Sequence, residues 1–131
     1  MKLKAGVFAF ALASSVANAA GPVWLDATVA NNGKIQVDAN SVRSAGNSVQ
    51  FWVREYPNDA TKQQFPNVAY MVMHINSVCG APSFVMDQFV SYAANDTVTY
   101  SDSEPQSDPA PPGSSWEYII GQVCSSQNIP H

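Results

Sequence analysis

Past residue 62 the chain carries neither lysine nor arginine, although six acids lie there. The only cations beyond residue 20 are Lys34, Arg43, Arg54 and Lys62. That distribution disfavours nucleic acid and heparin-like polyanions as partners, because binding them needs a basic patch. Histidine is equally scarce, with only His74 and His131. A serine nucleophile therefore has almost no general base available, and a metal site has few ligands. No glycine-rich phosphate loop is present, so no nucleotide cofactor is expected. Leu25 is the sole leucine beyond residue 20, against thirteen valines. No apolar run reaches the roughly 20 residues that a membrane-spanning helix needs.

The N-terminus has the three-part plan of a secretory signal. Lys2 and Lys4 are followed by an apolar run over residues 5–13 and by Ala17-Asn18-Ala19, a small-x-small cleavage signal. Residues 1–20 are therefore expected to be removed, leaving residues 21–131 as a single domain. The expected location is the periplasm, the cell surface or the medium. No cysteine follows the cleavage signal, so anchoring through a lipidated N-terminal cysteine is not expected. Four cations against ten acids give the remaining part a formal net charge of −6.

Two cysteines in an exported chain, Cys79 and Cys124, read as one disulfide. A free thiol or a metal pair is the rival reading, and a metal would want more ligands. The apolar content is β-branched and aromatic, which favours sheet. Val23, Leu25, Ala27 and Val29 alternate with Trp24, Asp26 and Thr28. Asn31-Asn32-Gly33 is a hairpin signal. Ile35 and Val37 continue as a second strand, Asp38 opens an Asx-type corner, and residues 44–47 form a further turn. Val49, Phe51 and Val53 then alternate with Trp52, Arg54 and Tyr56. Residues 57–66 read as a polar loop, and residues 67–78, 83–93 and 97–101 as three more strands. Four prolines within residues 101–113 forbid a central strand there, which predicts a long surface connection.

Ser114 and Glu117 have the spacing of a capping box. After it, Trp116, Ile119, Ile120, Val123 and Cys124 fall on one helical stripe. The expected fold is α+β. An antiparallel sheet of about five to six strands carries one C-terminal helix on a face, disulfide-linked to the end of the long strand. Cys79 shares parity with Met71, Met73 and Ile75. If that parity faces the helix, His74 faces away.

Chemistry is hard to find in this residue set. Asp26 with Asp38 or Asp87 has no spacing that singles out a carboxylate pair. Asp96, Asp102, Glu104 and Asp108 do not match a twelve-residue calcium loop. No catalytic residue, metal ligand or cofactor is assigned, and the expectation is a non-enzyme. The aromatic residues are the better lead. Trp24, Trp52, Tyr56 and Tyr70 fall on the parity opposite the helix. Exposed aromatic patches mark partner surfaces, so these four are the candidate binding residues. Strand curvature or the proline-rich loop is one way to cover them. A symmetric homodimer, through that face or a free sheet edge, is another.

A tryptophan soon after the leader, the stretch Ile-x-Val-Asp-x-x-Ser-Val over residues 35–42, Gly46, and Val49-x-x-Trp52-Val53 together resemble the surface-adhesin protein E family. The later half agrees, with a strand ending at Cys79, Pro111-Pro112 before Ser114, and a helix ending Val123-Cys124. The resemblance implies an antiparallel sheet with a disulfide-linked C-terminal helix. It also implies a surface protein that binds host matrix proteins and plasminogen. The sequence departs in lacking the lipidation cysteine and in having few lysines, so no binding residue is carried over. The expected function is an exported, non-enzymatic binding protein with a protein partner such as a host extracellular-matrix protein. The alternative is a periplasmic inhibitor or envelope accessory protein with an internal partner.

Overall fold

Among the described residues, eight β-strands form one antiparallel sheet, and a C-terminal helix lies across one face of it. The computed structural model describes residues 21–30 and 33–131. The expected leader and the Asn31-Asn32 part of the first turn signal lie outside them. The strands are β1 Trp24–Ala30, β2 Gly33–Asp38, β3 Arg43–Ala45, β4 Ser48–Tyr56, β5 Tyr70–Val78, β6 Ser83–Tyr92, β7 Val98–Asp102 and β8 Gln106–Pro109. Two α-helices accompany them, α1 Asp59–Gln64 and α2 Ser115–Ser126, with a 3₁₀ turn over Ala39–Ser41.

The sheet runs β1-β2-β4-β5-β6-β7, with β3 on β4 and β8 on β6. β4 thus has a divided neighbour. Its Val53–Tyr56 half pairs with β2, and its Ser48–Gln50 half with β3. Between the two halves, the Trp52 N–H donates to the Ser41 hydroxyl at 2.9 Å. β6 is divided the same way between β7 and β8. Where they part, a register shift lies opposite His74 and Ile75, so one extra residue, Asp87, enters β6 and re-aims the remainder of the strand.

The six long strands match the sequence expectation, and the short β3 and β8 are additional. β8 adds a short marginal strand to the long surface connection expected over residues 101–113. Gln106–Pro109 pairs along one margin of β6, where proline's missing donor does no harm. Residues 57–66 are likewise more than a loop. The Asn58 side chain accepts from the Thr61 N–H at 3.0 Å and starts α1. In β1, a bulge between Asp26 and Thr28 interrupts the continuous alternation.

The core lies between the sheet and α2. Val49, Phe51 and Val53 from β4, Met73 and Ile75 from β5, and Phe84 from β6 are buried against Ile119, Ile120, Val123 and Cys124. Trp116 packs its ring 4.8 Å from that of Phe84. At the helix start, the Ser114 Oγ accepts from the Glu117 N–H at 3.2 Å. The Ser114 N–H is already given to the Pro111 carbonyl. The Glu117 carboxylate therefore reaches one residue further, to the Gly113 N–H at 2.7 Å. The Cys79–Cys124 disulfide ties α2 to the residue following β5, with the Cα atoms 6.0 Å apart.

Candidate functional site

The face turned away from α2 has no second layer among the described residues. Register fixes which side chains it carries, since Gln36 opposes Arg54, Lys34 opposes Tyr56, Trp52 opposes His74, and Tyr70 opposes Tyr92. Trp24 joins them from β1. The sequence-designated residues Trp24, Trp52, Tyr56 and Tyr70 thus share one face, each of them half-buried.

Their side chains pack against one another and against two cations. The rings of Tyr56 and Tyr70 lie 5.8 Å apart, and Tyr70 stacks on Tyr92 at 4.8 Å with 15° between the planes. The Arg54 guanidinium sits 4.5 Å from the Trp24 ring centre and 5.4 Å from that of Tyr56. The Lys34 ammonium lies 5.2 Å from the Tyr56 ring centre. Such cation–ring contacts hold long side chains in place. Beneath them runs a polar rung. Arg54 Nε donates to Gln36 Oε1 at 2.9 Å, and Gln36 Nε2 donates to Asp26 Oδ1 at 2.8 Å.

Beside this cluster, the Trp52 ring lies 5.0 Å from that of His74. His74 Nδ1 pairs with Asp87 Oδ1 at 2.8 Å, and Asn76 donates to the other Asp87 oxygen at 2.7 Å. His74 therefore faces away from the helix, as the strand parity predicts. At the far end, the Tyr70 hydroxyl donates to Asp96 Oδ1 at 2.8 Å. That bond, with burial and the nearby negative charge, pushes the Tyr70 pKa up to about 12.

His74 has Asp87 as its hydrogen-bond partner and no nucleophile bonded to it among the described residues. Asp26, Asp38 and Asp87 are each engaged, Asp38 by the N–H groups of Val23 and Asn40. No group of three or more His, Cys, Asp or Glu side chains among the described residues could hold a metal ion. A shallow trough lined by Arg43, Gln50, Asn76 and Val78 has a volume of about 260 Å³, below the roughly 300 Å³ at which ligand pockets begin.

Three members of the cluster escaped the sequence reading as site residues: Lys34, Arg54 and Tyr92. Arg54 shares parity with Trp52 and Tyr56, which was a usable signal. Tyr92 was hidden by the Asp87 bulge, which reverses the alternation that begins at Phe84.

No helix among the described residues is long and apolar enough to cross a membrane. No curated protein matches the chain, and no solved structure does. Residues 24–125 match the family described as Surface-adhesin protein E. With most of the chain matched, sheet, helix and disulfide included, the protein belongs to the surface-adhesin protein E family.

Proposed function

We propose that the protein is an exported, non-enzymatic binding module that engages a host or neighbouring protein through the aromatic face of its sheet. The observation that carries this is a set of five aromatic rings and two cations assembled on the face opposite α2. Aromatic residues and arginine are the residue types that dominate binding energy at protein interfaces. Rings already stacked lose little further rotamer freedom when a partner docks. Family membership supports a surface adhesin-like role.

The test combines location with binding. Protease shaving of intact cells is expected to remove the protein, and matrix proteins are then screened for capture. Trp52→Ala is expected to weaken the captured interaction at least tenfold, about 1.4 kcal/mol, with the circular dichroism of the folded sheet retained. Protein released only when the outer membrane is opened would reject a host-facing role and direct the search to periplasmic partners.

A further inference from the structure

Where β7 and β8 part along β6, a cavity of about 200 Å³ opens. Its lining includes Met86, Phe89, Tyr100, Asp102, Glu104 and Gln106. Register places it on the side of the sheet that carries α2. Met86 opposes Ile75 and Phe89 opposes Met73, while Asp102 pairs with Phe89 and Gln106 with Met86. None of the lining residues belongs to α2. The Phe89 and Tyr100 rings meet edge to face with their centres 6.0 Å apart. Phe89 is half-buried, and Tyr100 is 56% exposed. One Asp102 oxygen accepts from the Glu104 N–H at 2.9 Å, which ties the two acidic residues together. The strands around them add no cation, since β5, β6, β7 and β8 hold neither lysine nor arginine. Counted from β7, β4 is the first strand that carries one, three strand spacings or about 14 Å away.

We propose that this cavity seats an arginine side chain on a basic segment of a partner protein. The seat lies on the other side of the sheet from the Trp52 and Tyr56 face, so it goes beyond the aromatic-face reading and does not depend on it. The volume is too small for a whole ligand, and it suits one long inserted side chain. The Phe89 ring and the Met86 thioether offer apolar contact to the methylene stem of an arginine. The exposed Tyr100 ring offers a face on which a guanidinium stacks. The Asp102 and Glu104 carboxylates and the Gln106 amide oxygen are acceptors for its N–H groups. Charge argues for a basic occupant in the same way. Six acids and no lysine or arginine lie beyond residue 62, and a recess lined by one sign of charge draws the opposite sign. The same acids repel the carboxylate of free arginine, which favours an arginine within a chain.

The experiment uses isotopically labelled protein lacking its leader, at low ionic strength. The probes are acetyl-arginine amide, acetyl-citrulline amide, acetyl-lysine amide and free arginine. Citrulline keeps the shape of arginine and removes its charge, and lysine keeps the charge without the planar fork. Acetyl-arginine amide is expected to give saturable shifts at Phe89, Tyr100 and the Gln106 side-chain amide. Its affinity is expected to exceed that of the citrulline and lysine probes at least threefold. It is expected to weaken at about 1 M salt, where the screening length is about 3 Å. Tyr100→Leu and Glu104→Gln alter exposed side chains. Each is expected to lower the affinity at least threefold, with the fold checked by the dispersion of the spectrum. Equal binding of citrulline or lysine, no shifts at these residues, or an unchanged affinity in both variants would overturn the proposal. So would tighter binding of free arginine, which marks a small-molecule site. Trp52→Ala separates the two sides of the sheet. An unchanged arginine affinity in that variant supports a seat at Tyr100, and this holds whether or not the aromatic face binds a partner. An affinity lost with Trp52 would place the cation on the aromatic face and reject the seat.

Discussion

Glu55 shows how one residue can sit against the logic of its strand. It follows Val49, Phe51 and Val53 on the helix-side parity of β4, and it pairs in register with Ile35 and Met71, both apolar. It is half-buried, with no hydrogen bond or ion pair among the described residues. Burial raises its carboxyl pKa above the ordinary value. The folded state therefore holds this proton more tightly than the unfolded chain does. Stability from this group is gained as the pH falls through the folded pKa and is lost on ionisation above it. Glu55→Gln is expected to stabilise the protein at pH 7 by up to about 1 kcal/mol, with the gain shrinking as the pH is lowered. Urea denaturation of both proteins at pH 7 and pH 4.5 isolates this group, and a variant no more stable at pH 7 would contradict the assignment. Parity made the aromatic face legible through Trp52, Tyr56 and Tyr70. Parity alone could not reveal that Lys34 and Arg54 clamp onto Tyr56, because that depends on which strands become neighbours.

Elements with their own local signals were the readable ones. Helix α2 announced itself through Ser114, Glu117 and the apolar stripe, and its C-terminus adds a device no spacing predicted. Asn128 takes a left-handed φ of +59°. Its N–H bonds the Ser125 carbonyl, and the Ile129 N–H bonds that of Cys124, the paired bonds of a Schellman cap. Ile129 is buried beneath this turn. Two substitutions test the ends separately. Ser114→Ala is expected to cost about 1 kcal/mol by freeing the Glu117 N–H. Asn128→Gly is expected to gain up to about 1 kcal/mol by removing the strain of a side chain at positive φ. Equilibrium denaturation reads both, and an unchanged Ser114→Ala midpoint would mean that the Glu117–Gly113 bond suffices as a cap. β8 and α1 were not legible for opposite reasons. β8 lies within a proline-rich segment and forms on the margin that β6 offers. α1 is a single capped stretch of six residues with no buried side chain, too short to show a period.

At the scale of the molecule, the C-terminal helix packs on one side of the sheet, and among the described residues the other face is left to other uses. Cys79 and Cys124 hold that asymmetry in place. α2 covers the Phe51 and Ile75 core, and it reaches the sheet after the long connection that carries β7 and β8. The bridge spans 45 residues between the end of β5 and the last turns of α2. The chain-entropy account assigns about 4 kcal/mol to a loop of that length, and measured values often fall short of it. Ile119, Ile120 and Val123 also bind the helix through burial, so the staple and the packing act on the same docking step. Replacing both cysteines with alanine removes the cross-link without leaving a lone thiol at the fully buried Cys124. The double variant is expected to lose about 2–4 kcal/mol, seen as a lower denaturant midpoint relative to the oxidised protein. A loss below about 1 kcal/mol would mean that apolar packing alone seats the helix. The open face supplies an independent readout of the same variant. Trp52, Arg54 and Tyr56 lie across the sheet from α2, all on β4. Partner binding should therefore persist at temperatures where the double variant remains folded. Binding lost together with the bridge, while the sheet signal persists, would instead couple the two faces through β4 and β5.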